Sequence, residues 1–523
     1  YSPFRLSNLN IIVMHYQLNM IWYLLCYFFV CSSVEAQPTT SIGQTNDKLI
    51  PILRGDYADP SIMRDGNDYY MTHSSFDYLP GLTVLHSTDL LHWTPVSYAL
   101  KERLGSVWAP DITKCGDKYY IYFTVAGQPS GGNYVVWANS PFGPWSNPIN
   151  LHVKHIDPGH AVDKEGKRWL FLSGGHRVKL RDDGLAIDGP VEKVYEGWTF
   201  PEDWVVTGFG LEAPKVRRIG DYYYLMCAQG GTMGPPTAHM SVLARSKSIN
   251  GPWENSPYNP VVHTWNYEEK WWNKGHGSLI DTPQGEWYIV YHAYEKDYVN
   301  LGRQTLIEPL EMTSDGWLRL KKGKCSIGKA MKQLERMPLK DYSMYQHLSE
   351  FRVGKEWRFY QDYDASRYSN YGESVTIKGK GDSPYHSSPL LFVAGCHSYE
   401  LEVEIELSGK AIAGLVVWYN NQYMVGSGIS QTKRYSYRRT VATGRGLHPA
   451  TRRVWLRLKN DRNSISGSYS LDGKTWKRDA WGMEVSGFDN NTLGGFMSVL
   501  PGIFVCGEGE ATFRHFKFMP INN

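Results

Sequence analysis

The sequence lacks an excess of charge of either sign. Its 55 Lys and Arg residues stand against 52 Asp and Glu residues, which leaves a net charge of +3. Proteins that bind phosphate backbones are strongly basic, at least on one face or in one segment. The balance therefore argues against nucleic acid as a partner.

Cysteine is also scarce, with 7 in 523 residues, and two of these fall within the first 31 positions. The other five are scattered, odd in number and without Cys-x-x-Cys spacing: Cys115, Cys227, Cys325, Cys396 and Cys506. This pattern predicts neither a disulfide framework nor a zinc site. We expect buried free thiols.

The apolar run near the N-terminus is too short to span a bilayer. Ile21 to Cys31 is an unbroken run of eleven apolar residues, and Val34-Glu35-Ala36 before Gln37 fits a small-residue cleavage site. We expect residues 1–36 to be a cleaved signal peptide and the protein to be secreted or periplasmic, without a stable membrane span. An uncleaved anchor and a lipid on Cys31 are the alternatives.

The remaining composition is that of a folded globular protein rich in aromatic rings. Hydrophobic residues make up 42% and charged residues 20% of the chain, while 18 Phe, 19 Trp and 36 Tyr give an aromatic content of 14%. Such rings fill β-sheet cores or face sugars. A chain of 523 residues is too long for one core, so we expect two domains.

A turn, an aromatic pair and a strand-forming stretch recur five times in the first two thirds of the chain. The second copy reads Cys115-Gly116-Asp117-Lys118-Tyr119-Tyr120-Ile121. The repeat glycines are Gly66, Gly116, Gly166, Gly220 and Gly285, at spacings of 50, 50, 54 and 65 residues. Periods of this size with several short strands per unit predict an all-β fold, a five-bladed β-propeller over residues 45–320. Each repeat glycine would form a hairpin turn.

A different β-pattern follows a basic stretch. Residues 321–340 carry seven Lys and Arg at positions such as Lys321 and Arg336, and we interpret them as a linker. Beyond it, residues 401–407 alternate strictly between apolar and polar, and Asp472-Gly473 is typical of a hairpin turn. Residues 341–523 are therefore predicted to form a β-sandwich.

The propeller brings distant residues together, because the first strand of every blade lines the central channel. Asp59, Asp157, Glu212 and His276 lie seven to nine residues before their repeat glycines, and Trp108 lies eight before its own. Three carboxylates, an imidazole and an indole should therefore meet at the channel mouth. Asp111 lacks the matching register, and we assign it to a turn that leads into a strand.

Three converging carboxylates repel one another, so their pKa values separate and one stays protonated near neutrality. Glycoside hydrolysis needs such a set. A protonated acid donates to the leaving oxygen, while an ionised carboxylate activates water on the opposite face of the sugar.

These motifs resemble glycoside hydrolase family 43, in its β-xylosidase and α-L-arabinofuranosidase type. The resemblance covers residues from about 50 to 320 through Ala58-Asp59-Pro60-Ser61-Ile62, Ile156-Asp157-Pro158 and Glu212-Ala213-Pro214. It implies Asp59 as general base, Asp157 as the carboxylate that tunes and orients, and Glu212 as general acid, with inversion at the anomeric carbon. No cofactor is needed for this chemistry.

The resemblance implies further sugar-binding residues. Phe76 in Ser74-Ser75-Phe76-Asp77, Trp108 in Trp108-Ala109-Pro110-Asp111 and Arg303 in Gly302-Arg303-Gln304-Thr305 match positions that shape the sugar subsite, and His276 joins them. In some members a calcium ion lies on the axis, which makes His276 a candidate metal contact through water. The C-terminal part resembles the concanavalin-like sandwich that closes one side of the pocket.

We therefore predict an exo-acting inverting hydrolase that releases xylose or arabinofuranose from plant xylan, arabinoxylan or arabinan oligosaccharides. Two alternatives stay open at this point. One is an endo-arabinanase, which an open groove would favour, and the other is a non-catalytic carbohydrate-binding propeller. A pure binding module has no need for three carboxylates in matching register. The sequence does not distinguish xylose from arabinofuranose and does not fix the oligomeric state.

Overall fold

The computed structural model describes residues 49, 51–127, 129, 131–322, 328, 356–372, 374–447 and 450–521. The predicted signal peptide, Cys31 and Cys325 lie outside these residues, as does the linker except for residues 321, 322 and 328.

Five antiparallel sheets of four strands follow one another between residues 61 and 320, which is the predicted five-bladed propeller. Each sheet uses its strands in chain order, and the fourth sheet carries one extra strand. The first two blades contain β1 (Ser61–Asp65), β2 (Asp68–Thr72), β4 (Gly81–Ser87) and β5 (Thr94–Leu100), then β6 (Ser106–Cys115), β7 (Lys118–Ala126), β8 (Gly132–Ala138) and β9 (Ile149–Asn150). The third contains β10 (Gly159–Val162), β11 (Arg168–Leu172), β12 (His176–Lys179) and β13 (Glu192–Lys193).

The last two blades close the ring. They contain β14 (Glu212–Ile219), β15 (Tyr222–Gln229), β16 (Met240–Ser246), β17 (Glu254–Asn255) and β18 (Val262–His263), then β19 (Trp271–Asp281), β20 (Trp287–Glu295), β21 (Gln304–Met312) and β22 (Leu318–Leu320). Leu53, which precedes the first blade, bridges to Thr305 of the fifth. The segment before β1 is thereby fixed to the last blade.

The repeat glycines occupy the predicted hairpin turns between the first and second strand of each blade. All five have positive φ, between 60° and 82°, where a Cβ atom is disfavoured. A Cβ atom would meet nothing within 4 Å at any of them, so the backbone conformation alone requires glycine.

The C-terminal half is a β-sandwich of two antiparallel sheets. One contains β23 (Arg358–Tyr360), β26 (Leu390–Leu391), β28 (Ile412–Trp418), β29 (Met424–Ile429), β30 (Lys433–Arg438), β31 (Val441–Gly446) and β35 (Leu500–Cys506). The other contains β24 (Tyr368–Tyr371), β25 (Ser374–Lys378), β27 (Ser398–Gly409), β32 (Arg453–Asp461), β33 (Ser464–Ser470), β34 (Lys477–Glu484) and β36 (Gly509–Pro520). The hairpin at Asp472-Gly473 connects β33 to β34, as predicted.

One strand from the propeller half belongs to the sandwich. Strand β3 (Tyr78–Leu79) pairs with β23 through Leu79 opposite Phe359 and Tyr78 opposite Tyr360. One apolar core also runs across both halves, from Leu85 and Val290 to Leu415 and Phe504. Both parts belong to one compact unit.

The helices with both ends among the described residues are short: Asn490–Leu493 and the 3₁₀ turns Ser173–Gly175, Val299–Leu301, Ala365–Arg367 and Pro384–His386. Within the described residues, none has the length and hydropathy that crossing a bilayer requires. Cys227, Cys396 and Cys506 are buried free thiols, as predicted, while Cys115 is half-buried.

Candidate active site

The inner strands of the five blades open into one cavity. All seven candidate residues line it, together with four others: Asp59, Phe76, Trp108, Ala109, Ile156, Asp157, Glu212, Thr232, His276, Arg303 and Phe496. The repeat therefore brings residues from all five blades to one place.

The backbone turns sharply where each inner strand meets the cavity. Asp59, Ala109, Asp157, Ala213 and His276 all have positive φ, between 40° and 58°. In three blades the kinked residue itself carries the functional side chain, whereas in the second and fourth blades it directly follows Trp108 and Glu212. Non-glycine residues in this region of φ are strained and cluster at functional sites. The kinks are irregularities that a uniform strand pattern does not predict.

The Asp59 carboxylate is held by donors on both oxygens. The Arg303 guanidinium donates to Oδ1 at 2.8 Å, and the Ser74 hydroxyl donates to Oδ2 at 2.5 Å. Ser74 in turn accepts from the backbone N–H of Ala109 at 2.7 Å. The backbone N–H of Asp59 donates to Nδ1 of His292 at 3.0 Å. These contacts fix the orientation of the carboxylate.

Asp59 stays ionised although it is buried. Burial alone would raise its pKa, but Arg303, with His276 and His292 close by, holds the pKa well below the usual value. Burial lowers the pKa of His292 to about 4 and that of His276 well below its usual range. Both imidazoles are therefore neutral near pH 7, and the Arg303 guanidinium is the positive charge that stabilises the carboxylate.

The pKa values of Asp157 and Glu212 are shifted in the opposite direction, above their usual values. Burial raises the pKa of Asp157 to about 7, and the charge of Asp59 adds to the effect. Burial, with the neighbouring charges of Asp157 and Asp59, raises the pKa of Glu212 well above its usual value. The backbone N–H of Ala213 donates to Asp157 Oδ2 at 3.1 Å, which ties the two acids together. The site thus combines the ionised Asp59 with Glu212, which keeps its proton near neutrality, and with Asp157, which is ionised in part near pH 7.

Aromatic rings wall the cavity on the side of Arg303. The guanidinium carbon of Arg303 lies 5.6 Å from the Phe76 ring centroid and 5.4 Å from that of Phe496. The Trp108 and Phe496 rings meet edge to face with centroids 5.3 Å apart. Phe496 comes from the sandwich half, so the second domain completes the cavity.

Hydrogen bonds between the two halves hold this wall in place. The Ser498 hydroxyl donates to Asp56 Oδ2 at 2.8 Å, and the backbone N–H of Val499 donates to the carbonyl of Asn300 at 2.8 Å. Asn300 also donates to Asn463 at 3.0 Å. The segment that carries Phe496 is therefore fixed to the turn that precedes Arg303.

Asp59, His276 and His292 offer donor atoms within 4.8 Å of one another, where the axial calcium ion was expected. Calcium takes six to eight oxygen ligands. This set offers two imidazole nitrogens and one carboxylate, whose Oδ1 already accepts from Arg303. The donor set does not fit direct coordination of calcium, although Nε2 of His276 is buried without a hydrogen-bond partner among the described residues.

Sequence reasoning placed one residue wrongly and missed several others. Asp111 lies inside β6, is buried, and pairs with Lys215 at 3.1 Å instead of forming a turn before a strand. Ser74 lies two residues before Phe76, and nothing in the sequence showed that its hydroxyl contacts Asp59. His292 lies two residues after the fifth repeat, Gln284 to Val290, and this position was a usable signal. No sequence pattern indicated Phe496, because its position at the cavity depends on how the sandwich packs.

The sequence profile described as "Glycosyl hydrolases family 43" matches residues 49–318, slightly more than half of the chain. The chain belongs to glycosyl hydrolase family 43. A second profile, the "Beta xylosidase C-terminal Concanavalin A-like domain", matches residues 392–519. The chain is therefore a glycosidase, and enzymes of this family need no cofactor for the hydrolysis itself.

Curated family 43 relatives cover both halves of the chain. A protein of Bacteroides ovatus named "Non-reducing end alpha-L-arabinofuranosidase" is 28% identical over 88% of this chain and 92% of its own length. A "Xylan 1,3-beta-xylosidase" of a Vibrio species is 27% identical over 82% of this chain and 89% of its own. A solved xylan beta-1,4-xylosidase from Bacillus halodurans is 26% identical, with a TM-score of 0.76 over 90% of this chain and 99% of its own.

Proposed function

We propose that this family 43 enzyme is an exo-acting, inverting hydrolase. It releases xylose or arabinofuranose from xylan, arabinoxylan or arabinan oligosaccharides of plant cell walls. The observation that carries the proposal is that Asp59, Asp157 and Glu212 line one cavity, where Arg303 contacts Asp59 at 2.8 Å and burial raises the pKa of Glu212. The names of the relatives, an arabinofuranosidase and a xylosidase, support the choice of sugars.

The reaction follows from the ionised state of Asp59 and the protonated state of Glu212. Asp59 accepts a proton from a water molecule whose oxygen attacks the anomeric carbon. Glu212 donates its proton to the glycosidic oxygen as the bond between that oxygen and the anomeric carbon breaks. The products are a free sugar of inverted anomeric configuration and a shortened chain with a new hydroxyl group. The ionised Glu212 and protonated Asp59 then exchange protons with solvent.

Asp157 and Arg303 act on these two groups. The charge of Asp157 favours the proton on Glu212, and its bond to the Ala213 N–H holds it beside the kink that orients Glu212. Arg303 keeps Asp59 ionised and, beside Phe76 and Phe496, is placed to contact the sugar that occupies the cavity.

The wall formed by Phe496 supports exo action. A sugar chain bound internally must leave the site at both ends, which requires an open groove. Here the sandwich places Phe496 against Trp108 and beside Arg303, so that one side of the cavity is closed. A single terminal sugar therefore suits the cavity better than the middle of a chain, which is why we place endo-arabinanase second.

The roles of Glu212 and Asp59 are tested with two leaving groups. An activated phenolate departs without a proton, whereas a sugar alkoxide does not. We expect Glu212→Gln to lower kcat/KM far more on an oligosaccharide than on a nitrophenyl glycoside. Asp59→Asn should cost about 10²-fold to 10⁴-fold or more on both substrates, because both need activated water.

The reverse pattern would contradict the assignment. If Glu212→Gln lowers kcat/KM equally on both substrates while Asp59→Asn leaves kcat/KM unchanged on one of them, the two roles are exchanged or wrong. Hydrolysis by the unaltered enzyme of nitrophenyl β-xyloside or α-L-arabinofuranoside identifies the sugar. Proton NMR of the first-formed product anomer then tests inversion.

Two further features belong to the proposal. We place the mature protein outside the cytoplasm, with its N-terminus at Gln37, which N-terminal sequencing of the exported protein checks. A hydrated calcium ion that contacts Nε2 of His276 through water stays a prediction, and elemental analysis of the purified enzyme checks it. Neither feature takes part in the chemical step.

A further inference from the structure

An unusually long connection precedes Glu212. It runs from Val194 to Leu211, which is 18 residues without a regular strand or helix, whereas the corresponding connections into β6, β10 and β19 have 5, 8 and 7. Loops longer than about 12–15 residues are uncommon in compact domains and are usually functional. It contains five aromatic residues, Tyr195, Trp198, Phe200, Trp204 and Phe209, and no Lys or Arg.

The strand order places this connection on the face where the cavity opens. Inner strands begin at the cavity, and the strands of each blade are antiparallel and in chain order. Segments that lead into an inner strand, and segments that join a second strand to a third, therefore lie on the cavity face. These include residues 194–211, residues 230–239 and residues 264–270.

Two of these segments, 194–211 and 264–270, expose aromatic rings. Phe209 is 46% exposed, Trp265 44% and Tyr267 51%. Trp204 lies between the segments, because its ring stacks on His263 at 4.5 Å and meets Trp265 edge to face at 5.6 Å. We call the exposed rings of Phe209, Trp265 and Tyr267 the aromatic platform.

The platform is continuous with the cavity. Phe209 stands three residues before Glu212, so their Cα atoms are at most about 10 Å apart. The Thr207 hydroxyl donates to the Met233 carbonyl, and Thr232 lines the cavity. The Thr237 hydroxyl donates to the Val205 carbonyl at 3.1 Å, and the Thr237 carbonyl lies 2.8 Å from His263 Nε2. Hydrogen bonds therefore join the first two segments to each other, and the second segment also contacts His263, which directly precedes the third.

We propose that the aromatic platform binds the leaving-group part of the substrate, a neutral chain of several sugar residues that extends out of the cavity past Glu212. This rests on the proposed role of Glu212, because the general acid faces the glycosidic oxygen, and the chain to be released begins there. Sugar rings present C–H faces that pack on aromatic rings, with hydroxyls left at the edge for water. Exposed apolar patches of this kind mark binding sites.

The chemistry of the platform selects an uncharged chain. The connection 194–211 carries Glu196, Glu202 and Asp203 without a basic residue, so a polyanion would be repelled. The rings are spread over two segments, 194–211 and 264–270, rather than gathered in one pocket, which suits an extended chain. The enzyme thus removes one terminal sugar from a polymer whose remaining residues lie on the platform.

The test compares a short and a long substrate. Trp265→Ala and Tyr267→Ala should each lower kcat/KM about tenfold on a β-1,4-xylohexaose or α-1,5-arabinohexaose, according to which series the unaltered enzyme hydrolyses. The corresponding disaccharide extends only one sugar beyond the cleaved bond, so kcat/KM on it should stay within about twofold of the unaltered enzyme.

Phe142→Ala is the matched control. Phe142 is 56% exposed, and it lies between β8 and β9, the third and fourth strands of the second blade, and therefore on the opposite face. This variant should behave as the unaltered enzyme on both substrates. If the platform variants lower kcat/KM equally on disaccharide and hexasaccharide, or lower it on neither, the proposal is wrong.

Binding to a slow variant separates this proposal from the proposed reaction. Calorimetric titration of Glu212→Gln with both hexasaccharides should show affinity that Trp265→Ala weakens about tenfold and Phe142→Ala does not. If the unaltered enzyme cleaves neither series but this pattern holds, the platform stands and the proposed reaction fails. If Trp265→Ala instead leaves binding intact and turns a dimer into a monomer in light scattering, the platform is a self-association surface and the proposal is overturned.

Discussion

At the scale of single residues, Asp59 keeps its charge in a buried cavity because each carboxylate oxygen accepts from its own donor. Arg303 supplies a charge for Oδ1, whereas Ser74 supplies a neutral hydroxyl for Oδ2. Ser74 is fixed by the N–H of Ala109, a residue of the next blade. It is therefore a positioning residue that links two inner strands.

Ser74→Ala removes a hydrogen bond that favours the ionised form of Asp59. A bond to a charged group is worth about 1.5–3 kcal/mol, or roughly one to two pKa units. The pKa of Asp59 should rise, and because the base acts only when ionised, the acidic limb of the kcat/KM profile should move to higher pH.

Ser75→Ala is the matched control, because the buried hydroxyl of Ser75 has no hydrogen-bond partner among the described residues. Its pH profile should coincide with that of the unaltered enzyme. An acidic limb that stays in place in Ser74→Ala would show that Arg303 alone sets the protonation of Asp59.

Which residues could be predicted at this scale depends on the repeat. Asp59, Asp157 and Glu212 hold similar distances from a glycine that the sequence reveals, so their meeting at one cavity follows from the propeller. Ser74 and Phe496 hold no such relation. Their contacts depend on how a loop and a second domain pack, which a spacing pattern does not contain.

At the scale of elements, the hairpin turn after each inner strand is the feature that the sequence predicts best. Gly220 has a φ of 60° with nothing near its missing Cβ atom. Gly220→Ala should lower the free energy of unfolding by about 1–2 kcal/mol. KM should not change, because the turn lies at the end of β14 away from the cavity.

Gly487 provides a comparison, since it also has nothing within 4 Å and its φ is not in the positive region. Gly487→Ala should leave stability unchanged or raise it by about 0.4–1 kcal/mol. Denaturant unfolding of both variants measures the difference. Equal effects would mean that φ does not govern these turns.

Other elements escaped prediction for a physical reason. Strand β3 has two residues, too few to show alternation, and its partner strand lies in the other half of the chain. The kinks at the starts of the inner strands likewise leave no pattern, because alanine, aspartate and histidine all adopt them here.

At the scale of the whole molecule, the core shared by propeller and sandwich leads us to expect that both unfold together. Phe359 is buried and pairs with Leu79 of the propeller half. Phe359→Ala should lower the free energy of unfolding of the entire molecule by about 3–5 kcal/mol. Calorimetry should show one transition at a lower temperature, not two.

Tyr371→Ala is the control, because Tyr371 is 88% exposed. Its transition should match that of the unaltered chain. A separate transition for the sandwich in Phe359→Ala would contradict the shared core. For the same reason, a chain that ends near Leu320 would expose core residues such as Leu85 and Val290. Such a chain should lose activity because it misfolds.

The pairing of β3 with β23 has a consequence for synthesis of the protein. Leu79 leaves the ribosome 280 residues before its partner Phe359. At about 5–20 residues per second, this is a delay of roughly a quarter of a minute to one minute. The nascent propeller must wait that long with an unpaired strand edge and an uncovered apolar surface. Phe496 emerges later still, so newly made enzyme gains its complete cavity only when nearly the whole sequence in hand has been translated.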